Sequence, residues 1–483
     1  MIVVLLSLAV ALTLLEPLSF VPTLSAAWAG PAIAAYLVVA AVIAAANTTW
    51  SLREAVRGSF LSPRALRRHR LGGVLGQVYL VGGLAGVLLA GYRTAIVGTP
   101  TLMGVPLVGT LLAWAPFAAA LLMTWVLEYP FYQTVRVQMA AVSPAGAAAV
   151  RVWTLEEYVL YNVRHHLLFV AVPVSLMVLV GDVLRLWVCP LLPAAAADIV
   201  LPAGSLAGAG AVFVVSPAIL VRIWRTSPLP SGRLRDDLAA LCRRMRLGYR
   251  DILIWHSGGA IANAAMMGLI GPIRYVLLSD ALLANLDERS IRAIFAHEAG
   301  HIRHHHIFYS VLFALAATGL CAAVAQQAAA WMNWGDDAAL AIMLPLLAAA
   351  WVFGFGWISR RFERQSDVTG VRFAGQDPAD DPSPPSAPPP ADLPITPVGV
   401  AVFCHALHRV ALLGSIPMAQ RNWRHGSVAS RIAYLMFPRA GGSAHPVDRQ
   451  VRLVKVALWV ALAAAVAANA FQFFYLPAPP GPS

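Results

Sequence analysis

His297, Glu298 and His301 stand in the order His-Glu-Ala-Gly-His. On a helix, positions i and i+4 share one face, so the two imidazoles can bind a single Zn²⁺ together. The glutamate between them is placed to take a proton from the water that such an ion acidifies. In a chain with 13 His among 483 residues, the HExxH pattern is expected by chance only about 0.006 times, so a zinc-peptidase reading is warranted. Zinc needs a third protein ligand, with one position left for water. The extended pattern HExxHxxGxxH is excluded, because its glycine and last histidine positions hold His304 and Ile307. The remaining common solution is a glutamate on a later helix. Glu363, in Arg361-Phe362-Glu363-Arg364-Gln365-Ser366-Asp367, is the expected ligand in a chain with few glutamates. The reading is one zinc per chain. Asp367 follows one helical turn later on the same face. It is expected to accept a hydrogen bond from the far nitrogen of a ligand histidine and so to fix that imidazole.

These residues sit in an apolar chain. Hydrophobic residues make up 59% and charged residues 12%, about half the charge fraction of a soluble domain. Runs long enough to cross about 30 Å of hydrocarbon recur at about nine places. They are Ile2–Phe20, Trp28–Ala46, Val74–Tyr92, Leu102–Val126, Leu167–Trp187, Ala203–Val221, Ile307–Met332, Ala338–Ile358 and Val456–Tyr475. The first lacks a basic leader and runs straight into the second, so it is expected to be a retained anchor. The expected fold is mostly α-helical: about nine membrane helices and a zincin domain on the cytoplasmic side, containing a small β-sheet near Ile252–Leu278. The active-site helix, about Asp287–His306, is expected to be N-capped by Asp287 and to run on into span seven.

The net charge of +12 comes almost wholly from arginine; Lys455 is the only lysine. Arginine collects in alternate loops: Arg53 to Arg70, Arg136 to Arg164, Arg222 to Arg235, and Arg360 to Arg364. That pattern is the cytoplasmic bias of a membrane protein rather than a nucleic-acid surface. It puts the N-terminus and both long polar segments, about 225–306 and 359–452, in the cytoplasm. Two spans separate His301 from Glu363, so the chain returns to the face it left. The stretch Asp377–Pro397 is rich in Pro, Asp and Ser and is expected to be a disordered insertion. Cys189, Cys242, Cys321 and Cys404 show no paired spacing, hence no disulfide framework and no CxxC metal site. Three parts are expected: an N-terminal membrane domain (1–224, about six spans), a metallopeptidase domain (225–452) interrupted by a transmembrane hairpin and the insertion, and a C-terminal span and tail (453–483).

Several segments occur in a familiar order: Arg225-Thr226-Ser227-Pro228-Leu229-Pro230, Ile261-Ala262-Asn263-Ala264 with Gly268, the HEAGH and ERQSD motifs, and Arg424-His425-Gly426-Ser427 running to Ser430-Arg431-Ile432. In these the chain resembles the integral-membrane gluzincin family of the type I CAAX prenyl proteases and the bacterial heat-shock membrane protease. The resemblance spans about 225–436. It implies Glu363 as third ligand, His425 as the residue that stabilises the oxyanion, and Arg431 near the site. It also implies that Asn263 and Ala264 lie on an edge strand that pairs with extended substrate, a mode that reads main chain.

The function expected is a zinc-dependent endopeptidase in the bacterial inner membrane, with Glu298 as proton acceptor and donor. It would cut membrane-associated or misfolded polypeptides at the cytoplasmic face. Its partners are a polypeptide and the lipid bilayer, with no nucleic acid; oligomeric state is left open. Two other readings stand beside it. One is a protease-type sensor-transducer, which would need an extracytoplasmic ligand-binding domain, and none is expected here after Tyr475. The other is a catalytically silent scaffold or transporter that inherited the motif, a reading that absence of bound metal would favour.

Overall fold

In a computed structural model, residues 2–15, 23–57, 63–142, 152–259, 261–332, 336–376, 393–414, 416–436 and 445–475 are described. The insertion anticipated at 377–397 therefore falls largely outside the described residues. The chain divides into two units, Met1–Arg225 and Thr226–Ser483.

The first unit is wholly helical among its described residues. Helices α1 (Ile2–Leu15), α2 (Ala29–Arg57), α3 (Pro63–Val87), α4 (Arg93–Val97) and α5 (Pro100–Met103) are followed by α6 (Val108–Val142), α7 (Leu155–Asn162), α8 (Phe169–Val183) and α9 (Ala194–Ile223). Large apolar side chains fill its interior, with Leu84, Leu88 and Phe117 fully buried. Two of the polar groups there pair in the way a bilayer interior favours. Trp114 Nε1 donates to Ser7 Oγ at 2.8 Å, and the Tyr36 hydroxyl donates to the Leu80 carbonyl at 2.8 Å.

The second unit combines a small sheet with helices of six residues and more. Strands β1 (Thr226–Pro228), β2 (Asp251–Trp255), β3 (Ala264–Met267) and β4 (Tyr275–Ser279) form one sheet in the order β1-β2-β4-β3. The β2–β4 pair is parallel and the other two pairs are antiparallel. β3 is thus an edge strand. The helices are α10 (Arg233–Arg244), a short α11 (Asp280–Asn285), α12 (Glu288–Arg303), α13 (His306–Trp331), α14 (Asp336–Ala349), α15 (Gly356–Ala374), α16 (Pro397–Leu413), α17 (Val428–Met436) and α18 (Pro446–Tyr475). A π-turn at Ala350–Phe355 joins α14 to α15. One core lies between the sheet and α10, α12 and α16, around Leu238, Ile252, Val276, Leu278, Phe295 and Phe403. A second packs α13, α15 and α18 together through Leu312, Phe355, Phe362, Val447 and Val451.

Among the described residues, eight helical stretches are long and apolar enough to cross a membrane, and the chain is an integral multi-pass membrane protein. They correspond to eight of the nine spans expected. The ninth, Ile2–Phe20, is represented among the described residues by the 14 residues of α1, which rise about 21 Å and fall short of the hydrocarbon thickness.

One expectation is corrected. The active-site helix does not run on into the next span. α12 ends at Arg303, and His305 adopts the left-handed conformation (φ 58°) before α13 starts at His306. The expected N-cap is in place: the Asp287 carboxylate accepts from the Ser290 N–H at 2.9 Å and the Ser290 hydroxyl at 2.8 Å. At the other end, the Lys455 ammonium donates to the His304 carbonyl at 2.7 Å, satisfying one of the carbonyls a helix leaves open.

Candidate metal centre

α12 and α15 cross with their small residues in contact. A Cβ built on Gly300 would lie 3.1 Å from the Thr369 Cβ and 3.3 Å from the Ser366 Cα. This close crossing brings His297, His301 and Glu363 together. The Nε2 atoms of the two histidines are 3.4 Å apart. Glu363 Oε2 is 3.6 Å from His297 Nε2, and Oε1 is 3.6 Å from His301 Nε2. Zinc–ligand bonds of about 2.0–2.2 Å at tetrahedral angles put ligand atoms about 3.3–3.6 Å apart. The three side chains thus already form the base of a tetrahedron of the right size, and among the described residues they are the group able to hold a metal ion.

The charges around them point the same way. Glu298, Glu363 and Asp367 face a single guanidinium, that of Arg431, and an uncompensated buried charge is costly. A divalent cation among the three ligands balances the cluster.

Asp367 is fully buried. Its Oδ1 lies 3.0 Å from His297 Nδ1, while its two oxygens accept from Arg431 Nε at 2.9 Å and Nη2 at 2.5 Å. Accepting from Nδ1–H leaves the His297 Nε2 lone pair directed at the metal position. Burial alone would lower the His297 pKa, but the Asp367 hydrogen bond and charge outweigh it and raise the value. Burial likewise works against the Arg431 charge, and Asp367 again reverses the sign. At His301, burial dominates and pushes the pKa down to about 3, keeping the ring neutral. Glu298 keeps some access to solvent, yet burial of its carboxyl group pushes the pKa up to about 7. A carboxylate tuned to that value can both take and return a proton near neutral pH.

His425 comes from the loop before α17. Its Nδ1 is 2.8 Å from Glu363 Oε1 and its side chain is 43% exposed. Arg431, on α17, is also 3.5 Å from Glu363 Oε2. Asn263 is exposed and precedes β3; its N–H donates to Ser279 Oγ at 2.9 Å, and its carbonyl accepts from the Ser279 N–H at 3.0 Å. Ala264 opens β3 with its side chain buried. Six of the nine expected site residues therefore meet directly: His297, His301, Glu363, Asp367, His425 and Arg431. Glu298 stands among them in sequence and field. Asn263 and Ala264 lie at the sheet edge that packs by α12.

Sequence reasoning missed one contact. In the run His304-His305-His306, His306 is buried, and its Nδ1 lies 3.0 Å from His301 Nδ1. The signal was hidden because i+5 is off the helix face; only the break at His305 turns the ring back.

Residues 228–383 match peptidase family M48. This segment belongs to that family. The M48 segment contains His297, Glu298, His301, Glu363 and Asp367, whereas His425 and Arg431 lie beyond it. A CAAX prenyl protease 1 homologue from Arabidopsis thaliana is 23% identical over 177 residues, covering 34% of this chain. The chain spans 42% of that relative's length. The crystal structure of S. mikatae Ste24p aligns over 84% of this chain and 98% of its own, at 15% identity and a TM-score of 0.36.

Proposed function

We propose that this chain is a zinc-dependent integral-membrane endopeptidase, with His297, His301 and Glu363 as ligands of one Zn²⁺. The observation that carries the reading is the tetrahedral base formed by those three side chains with Glu298 one residue along the same helix. When bound, the ion acidifies water and polarises the peptide carbonyl.

The chain's own residues do the rest. Glu298, poised by burial, takes the proton of the attacking water and passes it to the leaving amine. His425, beside Glu363 and open to solvent, donates to the developing oxyanion. Arg431 adds positive charge to the same region and, through Asp367, fixes the His297 tautomer. The free edge of β3, starting at Asn263 and Ala264, holds an extended substrate by main-chain pairing, which tolerates varied sequences. The arginine-rich loops support a cytoplasmic site in a bacterial inner membrane. Membrane-associated or misfolded polypeptides are the substrates that fit this placement.

The test compares the N-termini of membrane proteins in cells carrying wild type or Glu298→Gln. New termini restricted to wild type are expected and would name the substrates. Identical profiles with about one zinc per purified chain would leave a metal site without this proteolysis; identical profiles without zinc would favour the silent scaffold.

A further inference from the structure

His301 is the ligand that Asp367 does not reach. Asp367 orients His297, so another group must set the His301 ring. Its Nε2 faces the other ligands, 3.4 Å from His297 Nε2 and 3.6 Å from Glu363 Oε1. Its Nδ1 faces away and meets His306 Nδ1 at 3.0 Å. His306 Nε2 lies 2.9 Å from Gln365 Oε1, and Gln365 Nε2 donates to Asp448 Oδ1 at 2.7 Å.

Donor and acceptor roles follow along the whole chain. A ligating Nε2 must carry a lone pair, so the proton of neutral His301 is on Nδ1. That N–H donates to His306 Nδ1, which must then be unprotonated. The proton of His306 therefore sits on Nε2 and donates to the amide oxygen of Gln365. The amide nitrogen of Gln365, in turn, donates to the Asp448 carboxylate. Each link demands the next, and the chain ends on a charged acceptor. The His306 ring is itself held flat against Phe362, with centroids 4.2 Å apart and planes within 6°.

We infer that His306 is a positioning residue for the metal ligand His301, anchored through Gln365 to Asp448 on the C-terminal membrane helix. This inference rests on the zinc reading above and deepens it. It also assigns a role to α18, which lies outside the M48 segment. Asp448 sits in the first turn of α18, and Lys455, two turns on, holds the end of α12. The helix thus grips the metal-bearing element at two points, one through a ligand and one through the backbone.

The experiment measures zinc affinity and zinc dissociation by chelator competition on the purified full chain in lipid nanodiscs. His306→Phe keeps the ring and its stacking on Phe362 while removing both hydrogen bonds. His306→Asn returns an acceptor near the Nδ1 position. Loss of an outer partner of a ligating histidine costs about 10–100-fold in metal affinity. That weakening is expected for His306→Phe, with most of it recovered in His306→Asn. Gln365→Met should weaken zinc binding by a smaller factor, and it keeps the link testable if His306→Phe does not fold. Thermal unfolding of the metal-free variants separates packing loss from ligand orientation. Equal zinc affinity in wild type and His306→Phe, or in wild type and Gln365→Met, would overturn the inference while leaving the proposed function intact. Absence of zinc from wild type would overturn both.

Discussion

Asp367 is the residue on which the site turns. It is fully buried and serves two cations or near-cations at once: His297 Nδ1 at 3.0 Å and the Arg431 fork at 2.9 and 2.5 Å. Removing one partner of a buried pair leaves the other charge in low dielectric, which costs about 3–5 kcal/mol. Asp367→Ala is therefore expected to destabilise the protein by that order, measured by thermal unfolding, and to loosen zinc as well. Arg431→Met should destabilise the protein without loosening zinc to the same degree, because His297 keeps its acceptor. Glu298→Gln has a different signature. It removes a proton carrier and no ligand, so zinc content stays near one per chain while cleavage falls by at least about 10²–10⁴-fold. Most of this residue set was readable from spacing, since i, i+4 histidines and an ExxxD turn carry their geometry with them. His306 was not readable, because its approach to His301 depends on one left-handed backbone residue that no periodicity announces.

At the scale of elements, the site depends on how closely α12, α15 and α16 approach. Gly370, one turn beyond Asp367, is the contact point. A Cβ there would fall 2.5 and 2.8 Å from ring carbons of the buried Phe403 and 3.2 Å from the Ala293 carbonyl. Overpacking of this kind costs about 1–3 kcal/mol, more than the up to about 1 kcal/mol that alanine contributes to a helix interior. Gly370→Ala is expected to lower the unfolding temperature and weaken zinc binding together, because α12 and α15 hold the three ligands between them. The N-cap of α12 gives a pH-dependent counterpart. Burial pushes the Asp287 carboxyl up, but hydrogen bonds from Ser290 outweigh this and hold its pKa below the usual 3.8. A lowered folded pKa means stability that is complete above about pH 4 and fades as pH falls further. Asp287→Ala should thus cost about 1 kcal/mol at neutral pH, with the gap to wild type closing below about pH 4. Asp287 was legible as a cap because its position before a helical apolar pattern has one local solution. The end of the same helix was not, because the sequence there is a run of histidines without glycine or proline, and the break is held from outside by Lys455.

For the whole molecule, the decisive fact is that Glu363 sits beside His301 although the apolar stretch His306–Trp331 and most of the stretch Ala338–Ala374, up to Glu363 itself, separate them in sequence. A chain that leaves a membrane face and returns to it must cross an even number of times, so we propose that these stretches make a transmembrane hairpin. As a proposal this was inferable from sequence, because hydrocarbon thickness sets a length that composition reveals. What the first five spans of the other unit contribute was not, since apolar helices of similar length carry no mark of their partners. The charge pattern then supports one orientation of the proposed hairpin: Arg360, Arg361, Arg364, Arg421 and Arg424 belong to the end that holds the site, while Asp336 and Asp337 stand at the start of α14. In a variant with its four cysteines replaced, a new cysteine at Trp331, 80% exposed at the end of α13, is expected to react with a membrane-impermeant maleimide added outside intact cells. One at Arg421, exposed beside the site, should react only after the cells are opened. The reverse pattern would put the site outside and remove the cytoplasmic assignment. Labelling of both from one side would mean that the hairpin does not cross, and the route by which Glu363 reaches His301 would need another explanation than the bilayer.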